Sequence, residues 1–194
     1  MSDKIIRKVF HKIRETLYYY YLIVYNVEEF AVENKREYFS CEESKFTTLN
    51  NEIIWVLDMR NTETKDFLLV VTKIKDTEKI KAFITRYIPS GNFIVTDGWG
   101  SYSWLNHFGY IRLEHNHGAG DFYFANESTS HAENLWNVLK TDVISTYFAI
   151  QNKDFLLFLR EAEYKYKNRK LCSDDLIKDF FLAFNLISSI GIEN

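Results

Sequence analysis

Residues 92–97 read Asn-Phe-Ile-Val-Thr-Asp, an apolar run that ends in a carboxylate. The apolar residues at its centre are continuous rather than alternating with polar ones, which is typical of a central strand covered on both faces. Gly98 and Trp99 follow at once, so Asp97 stands where the predicted strand ends. Ligands collect at the carboxyl ends of strands in open α/β sheets, although an aspartate here is equally suited to capping the next helix. The stretch therefore predicts the middle of a sheet with a candidate site at one strand end.

Three short strands are predicted upstream of this run. They cover 37–46, 52–59 and 66–74, are rich in β-branched, Leu and aromatic residues, and are separated by polar turns. Consecutive strands joined by short turns favour an antiparallel meander. An amphipathic helix over 76–87, with Asp76 as its N-cap, then leads into the central strand.

The segments downstream first alternate and then become helical. A short helix over 101–108 and a strand over 110–114 come first. Helical periodicity follows over three segments, at about 130–146, 152–169 and 174–189. We expect a mixed five-stranded α/β sheet with flanking helices.

The N-terminal segment predicts a helix with one basic face. Apolar residues recur at three and four from Lys4 to Leu17, which is the helical period. The cations on this segment are Lys4, Arg7, Lys8, Lys12 and Arg14. A solvated helix face explains such a cluster as well as nucleic-acid contact does. The formal net charge of -3 argues against a simple basic nucleic-acid coat protein.

The composition excludes several classes of protein. The chain has 194 residues, of which 46% are hydrophobic and 17% aromatic, with 7 Gly and 1 Pro, so it is neither disordered nor collagen-like. Cys41 and Cys172 are too few for a disulfide framework or a structural zinc ribbon, so we expect a reducing, intracellular compartment. The longest apolar run, Leu17–Tyr25, is shorter than the roughly 20 residues of a bilayer span, so we expect no membrane partner.

Three carboxylates are candidates for chemistry. Alternation along the first strand puts only one of Glu42 and Glu43 inward, and a buried acid is unfavourable unless it is paired or metal-bound. Asp97 ends the central strand, and Glu133 shares a predicted helix face with Lys140, although an ordinary helix stripe gives the same spacing. Converging carboxylates of this kind would hold two Mg²⁺ or Mn²⁺ ions through oxygen ligands.

Four motifs stand in order along the chain. They are EESKF at 42–46, IPSGNFIVTDGWGSY at 88–102, ESTSHAENLWNVLK at 127–140 and FLREAEYKYKNR at 158–169. No single one of them is decisive, but the ordered series resembles the DDE transposase domain of the Merlin and ISXO-like group over about residues 40–170.

The resemblance implies an RNase H-like fold and metal-dependent cleavage and joining of DNA ends. It places the catalytic and metal-binding acids at Glu42, Asp97 and Glu133. The residues expected to contact DNA, from the same match and from the basic N-terminal helix, are Lys140, Asn116, His117, Trp99, Arg7 and Lys8. The implied cofactor is a pair of Mg²⁺ or Mn²⁺ ions. The implied partner is duplex DNA at transposon ends, bound by a homodimer in the nucleus or nucleoid.

Three domains are predicted from the match. Residues 1–25 resemble the last helix of a helix-turn-helix, and residues 38–172 form the RNase H-like domain. Residues 173–194 form a C-terminal helix. Its apolar stripe would cover either the core or a partner and consists of Leu176, Phe180, Phe181, Phe184 and Ile187.

Glu42 departs from the family pattern, which has Asp at the first catalytic position. The added methylene moves the carboxylate by about 1.5 Å, and a misplacement of about 1 Å can lower a rate about a hundredfold. The family's basic glycine-containing loop after this strand and its N-terminal zinc ribbon are not matched either. These departures support an alternative: a catalytically inactive, repurposed DNA- or protein-binding module that retains the fold. A third option is an RNase H-like nuclease acting on branched DNA.

A zinc site is a further reading of the histidines. His115, His117 and His131 would supply three ligands, but a structural zinc ion takes four and the sequence offers no evident fourth.

Overall fold

The computed structural model describes residues 2–27, 36–48, 50–72, 76–97, 100–115, 135–141 and 154–190. The chain divides into two compact units. One lies within Glu29–Asn137, and the other combines Met1–Glu28 with Val138–Asn194. The first contains the sheet and the second contains the long helices. The domain boundaries predicted from the sequence stay predictions.

The first unit is built around a five-stranded mixed sheet. Its strands are β1 (Tyr38–Thr47), β2 (Ile53–Asn61), β3 (Phe67–Thr72), β4 (Phe93–Asp97) and β5 (Ile111–His115). Their order is β3-β2-β1-β4-β5; β1 to β3 run antiparallel, whereas β4 pairs parallel with β1 and β5 parallel with β4. The predicted meander and the predicted mixed five-stranded sheet are both confirmed.

The middle of the sheet is apolar because its strands are covered by neighbours. β4 lies between β1 and β5, as its continuous apolar run predicts. Phe39, Cys41 and Ile94 from β1 and β4 are all fully buried. The tight turn between β1 and β2 places Asn51 at a φ of 59°, in the left-handed region that asparagine tolerates better than most residues.

Helix α2 (Thr77–Tyr87) connects the meander to β4. Its N-cap is Asp76, whose carboxylate accepts a hydrogen bond of 3.0 Å from the backbone N–H of Glu78, as predicted. The helix buries Ile80 and Ile84, which lie four residues apart on one face.

The predicted helix over 101–108 is wrong in type. The structure has two short 3-10 turns instead, Gly100–Tyr102 and Leu105–Phe108. Gly109 ends the second turn at a φ of 82°, a conformation that glycine adopts without strain. Tyr102 in the first turn and Leu105 in the second are both fully buried, and Ser, Trp, Asn and His give the segment too little helix propensity to join the turns into one α-helix.

Helix α3 is described over residues 135–140, within the segment predicted to be helical at 130–146. Leu135, Trp136 and Leu139 are buried, whereas Lys140 is exposed. The indole ring of Trp136 meets the ring of Phe46 on β1 edge-on, with the centroids 6.2 Å apart.

The second unit contains α1 (Asp3–Val27), α4 (Phe155–Lys167) and α5 (Ser173–Ser189). Helix α1 packs against both others and buries Leu17 and Tyr21. It extends beyond the predicted segment from Lys4 to Leu17, since the tyrosine-rich residues 18–25 are also helical. Among the described residues, no helix combines the length and hydropathy that crossing a bilayer requires.

Helix α5 carries apolar residues on more than one face. Ile187 from the predicted stripe is buried, as is Ala183, whereas Phe181 from the same stripe and its neighbour Leu182 are more than half exposed. Helix α5 therefore buries part of the predicted stripe and leaves part of it exposed; that it covers a partner stays a prediction.

Candidate catalytic and metal site

The sheet register brings Glu42 and Asp97 to neighbouring positions. β1 and β4 run parallel, and Cys41 on β1 is level with Thr96 on β4. The next residue on each strand is the predicted acid, so the two carboxylates leave the sheet on the same face of adjacent strands. Neighbouring strands lie about 4.8 Å apart. Two of the three predicted catalytic acids thus come together without any distortion of the sheet.

A third carboxylate, Asp58, joins this row from the opposite side. Asp58 on β2 is the direct cross-strand partner of Glu42 on β1. Its relative exposure is 1%. The acids therefore stand side by side on three adjacent strands in the order Asp97, Glu42, Asp58. Asp58 is not among the site residues predicted from the sequence.

Asp58 is bonded to Arg60, two residues further along β2. The guanidinium donates to Oδ2 of Asp58 from Nη2 at 3.2 Å and from Nε at 3.4 Å. Arg60 is also buried, and its guanidinium lies over the ring of Phe67 on β3 at 5.1 Å. Residues two apart on a strand share a face, so a mid-strand Asp followed by Arg at that spacing is the sequence signal that could have identified this pair.

Glu42 lies in a strongly acidic environment. Burial raises its pKa most, the charge of Asp58 raises it next and that of Asp97 adds to both, to about 7. The indole N–H of Trp136 and the charge of Arg60 act in the opposite direction but do not cancel these effects. At neutral pH this carboxyl is consequently shared between its protonated and ionised forms.

Trp136 forms an apolar wall beside this carboxyl. The ring is 7% exposed, and its N–H lies near enough to Glu42 to favour the ionised form. Its Nε1 atom is buried. Among the described residues, this atom has no partner at hydrogen-bond geometry, so the N–H acts on Glu42 by proximity alone. Together with Phe46, Trp136 keeps water away from one side of the acid row.

Glu43 points to the opposite face of the sheet, as alternation predicts. There it lies near Tyr102, which is fully buried. Burial first, and then the charge of Glu43, raise the pKa of Tyr102 well above its ordinary value. Both faces of β1 are covered, so Glu42 and Glu43 are each partly buried.

The other predicted site residues divide into two groups. Lys140 on α3 and the pair Arg7 and Lys8 on α1 are exposed. The remaining ones lie outside the described residues; they are Glu133, Asn116, His117 and Trp99.

A metal ion would find two suitable ligands in the described part of the chain. Carboxylate oxygens are the ligands that Mg²⁺ and Mn²⁺ prefer, and a cation would relieve the repulsion within the acid row at Glu42 and Asp97. Within the described ranges, no three His, Cys, Asp or Glu side chains are grouped closely enough to bind a metal by themselves. The predicted set is completed by Glu133, and two of the three histidines of the zinc reading, His117 and His131, also fall outside those ranges.

A family comparison decides what kind of domain this is. The model of the ISXO2-like transposase domain matches residues 28–167. The chain belongs to this family. The resemblance drawn from the ordered motifs is thereby confirmed, and the match covers β1 to β5 as well as α4 of the transposase domain.

Solved structures show the fold of this transposase domain. The HTLV-2 integrase catalytic core in complex with magnesium is 10% identical in its trimeric form, with a TM-score of 0.50 over 74% of this chain and 93% of that one. Its dimeric form is 10% identical, with a TM-score of 0.50 over 71% and 90%. The transposase domain therefore has the RNase H-like fold of integrase cores, as the resemblance implies.

A longer relative is matched only in part. A chain of the simian T-cell lymphotropic virus intasome, in complex with PP2A regulatory subunit B56 gamma, is 13% identical with a TM-score of 0.47. The match covers 64% of the transposase domain's chain and 47% of that one. A search of curated proteins found no match.

Proposed function

We propose that this transposase domain cleaves DNA strands at transposon ends and transfers them, with Glu42, Asp97 and Glu133 as its catalytic acids. The observation that carries the proposal is the placement of Glu42 beside Asp97 on parallel strands of an integrase-like sheet. Strand ends of α/β sheets are where such sites are built. The family supports the reaction class, and the acid row supports its location in this chain.

The residues of the row have separate parts in this proposal. Glu42 and Asp97 would hold Mg²⁺ or Mn²⁺ together with Glu133. The bound ions would supply Lewis acidity to the phosphodiester and to the attacking oxygen. Trp136 shields Glu42 from bulk water on one side, which strengthens the attraction between its carboxylate and a cation.

DNA would be held by exposed cations. Lys140, seven residues after Glu133 in the sequence, would contact a phosphate. A basic groove of about 430 Å³ runs along α1 and is lined by Lys4, Arg7, Lys8, His11, Lys12, Arg14 and Glu15. Cations in such a groove favour a phosphate backbone. We propose Asn116, His117 and Trp99 as further DNA contacts. We also propose that the protein acts as a homodimer in the nucleus or nucleoid.

A second candidate function is a repurposed DNA- or protein-binding module without catalysis. The observation that favours it is the state of Glu42, which replaces the family's Asp and whose pKa is raised to about 7. A carboxyl that is partly protonated at neutral pH is a weaker ligand for a divalent ion than an ordinary aspartate.

A Mn²⁺ titration tests the cation site. We expect saturable binding by the wild-type chain and at least a tenfold loss of affinity in Asp97→Asn. Asp66→Asn is the matched control, because Asp66 is exposed in the turn before β3 and its loss should leave the affinity unchanged. Equal affinity in the Asp97→Asn variant and the wild type would reject Asp97 as a ligand.

Strand cleavage and transfer are then measured on duplex DNA carrying transposon ends. Metal-dependent turnover that is lost in Asp97→Asn and in Glu133→Gln supports catalysis. Salt-dependent DNA binding with no turnover selects the second candidate. The Glu42→Asp variant separates the two further, because restored turnover in it would identify the added methylene as the defect.

A further inference from the structure

The Asp58–Arg60 pair is a buried charge pair next to the proposed cation site. Both side chains are almost inaccessible, at 1% and 2% exposure, and they are held together by two hydrogen bonds to one carboxylate oxygen. The site residue Glu42 lies one strand away, directly opposite Asp58. Glu42 is therefore a direct neighbour of the pair, and a change in the charge of Asp58 or Arg60 alters the electrostatic environment of its carboxyl.

Arg60 has two carboxylates within reach. It is level with Ser40 on β1, so Glu42 is its diagonal neighbour on the same face. Diagonal neighbours on antiparallel strands are roughly 7–8 Å apart, which long side chains bridge. The charge of Arg60 already acts on Glu42, because it is one of the groups that lower the pKa of that carboxyl. In the structure, however, its two hydrogen bonds go to Asp58.

We propose that Asp58 is a positioning residue, which by holding Arg60 leaves the carboxylate of Glu42 available for a divalent cation. This inference rests on the proposed function, since it assigns Glu42 to a cation site. Asp58 acts here through Arg60 and is not itself a ligand. The arrangement also accounts for an arginine beside an acid row whose role is to bind a cation.

Removing the acid of the pair should inactivate the site indirectly. In Asp58→Asn the guanidinium loses its carboxylate partner, and Glu42 is the nearest replacement. We expect the affinity for Mn²⁺ to fall at least tenfold. The double variant Asp58→Asn/Arg60→Gln removes the competing cation as well. Its affinity should therefore return to within about threefold of wild type.

Two further variants separate this inference from simpler ones. Glu43→Gln removes an acid adjacent in sequence to Glu42, but on the opposite face and away from Arg60, so it should change the affinity little. Arg60→Gln alone should keep or raise the affinity. It also serves as the test if Asp58→Asn fails to fold, because a merely structural pair would lower affinity when Arg60 is lost.

A measurement without metal tests the same inference independently. In EDTA at pH 8, Glu42→Gln should stabilise the wild-type background, since it removes a carboxylate that lies between two others. In the Asp58→Asn background it should destabilise, because Glu42 is then the partner of Arg60. Urea unfolding measures the change in stability caused by Glu42→Gln in each background, and we expect the two changes to have opposite signs.

The outcomes point in different directions. Equal Mn²⁺ affinity in Asp58→Asn and wild type, or the same sign of the Glu42→Gln effect in both backgrounds, overturns the inference. A double variant as weak as Asp58→Asn alone would make Asp58 a ligand and also overturn it. If the sign reverses but wild type binds no Mn²⁺, the competition for Arg60 is supported and the proposed cation site fails.

Discussion

On α4, the buried acids Glu161 and Glu163 lie among cations, whereas on the sheet Glu42 lies between two other acids. Each α4 acid contacts two basic side chains. The pairs are Arg14 at 2.6 Å and Lys165 at 2.9 Å for Glu161, and Arg160 and Lys167, the latter at 3.3 Å, for Glu163. Along the described acid row, Arg60 is bonded to Asp58, and its charge also lowers the pKa of Glu42.

The two groups differ in how far the charges of their acids are balanced by cations. Buried acids that are matched by cations form a self-sufficient network, and their removal leaves unpaired charge. Acids that outnumber the neighbouring cations raise one another's pKa and leave room for a cation from solution. The helical unit fits the first description, whereas Glu42, whose pKa is raised by the charges of Asp58 and Asp97, fits the second.

The largest effect on stability is expected from breaking the matched network at its most buried acid. Glu163→Ala should lower the free energy of unfolding by about 3–5 kcal/mol, because it leaves a buried guanidinium without its carboxylate. Equilibrium unfolding in guanidinium chloride measures this free energy. Glu15→Ala, which removes a partly exposed acid from helix α1, is the control and should change stability by less than about 1 kcal/mol. Similar small effects at both positions would show that the network on α4 does not hold the helical unit together.

A smaller and pH-dependent effect is expected from the unmatched row. The folded protein keeps a proton on Glu42 up to about pH 7, whereas the unfolded chain loses it near pH 4.5. Between these values the unfolded state binds fewer protons, so stability falls as pH rises. The total contribution is at most about 3 kcal/mol.

The Glu42→Gln variant isolates that contribution. Its stability relative to wild type should increase from pH 5 to pH 8 in EDTA, as measured by urea unfolding. The difference matters because burial also raises the pKa of Glu163, which contributes a slope of the same sign to both proteins. If the stability difference between Glu42→Gln and wild type did not depend on pH, the raised pKa assigned to Glu42 would be wrong.

The smallest effect is expected at Asp76, a partly exposed acid outside both groups. Asp76 caps α2 through one hydrogen bond, so Asp76→Ala should lower stability by about 1 kcal/mol. Asp76→Asn keeps the acceptor oxygen and should be nearly neutral. Thermal unfolding of the two variants side by side gives the comparison, and equal losses in both would argue that the charge rather than the cap is important.

Much of the sheet could be predicted from the sequence. The continuous apolar run ending at Asp97 indicated an internal strand, and the short turns upstream indicated a meander. Neither pattern contains the register between β1 and β4, which sets Glu42 beside Asp97. That adjacency came from the family resemblance, because pairing between distant strands leaves little trace in local periodicity.

Two features escaped the sequence for physical reasons. Asp58 follows five apolar residues of β2, and its burial depends on Arg60 and on the strand opposite, neither of which periodicity reports. The segment 101–108 places Tyr102 and Leu105 at a helical spacing, but its residues have low helix propensity and the two lie in separate 3-10 turns. Periodicity alone reports neither a contact across strands nor a break between two turns.

The parallel pairing of β1 with β4 also has a consequence for the order in which the sheet forms. The meander β1-β2-β3 is closed by short turns, whereas position 38 must find position 93 across a crossover. Closing long loops is entropically slower than forming local hairpins. We therefore expect a nascent chain to bring Glu42, Asp58 and Arg60 together early and to add Asp97 late. Divalent ions would then accelerate none of the early folding steps. They would only slow the unfolding of the finished sheet.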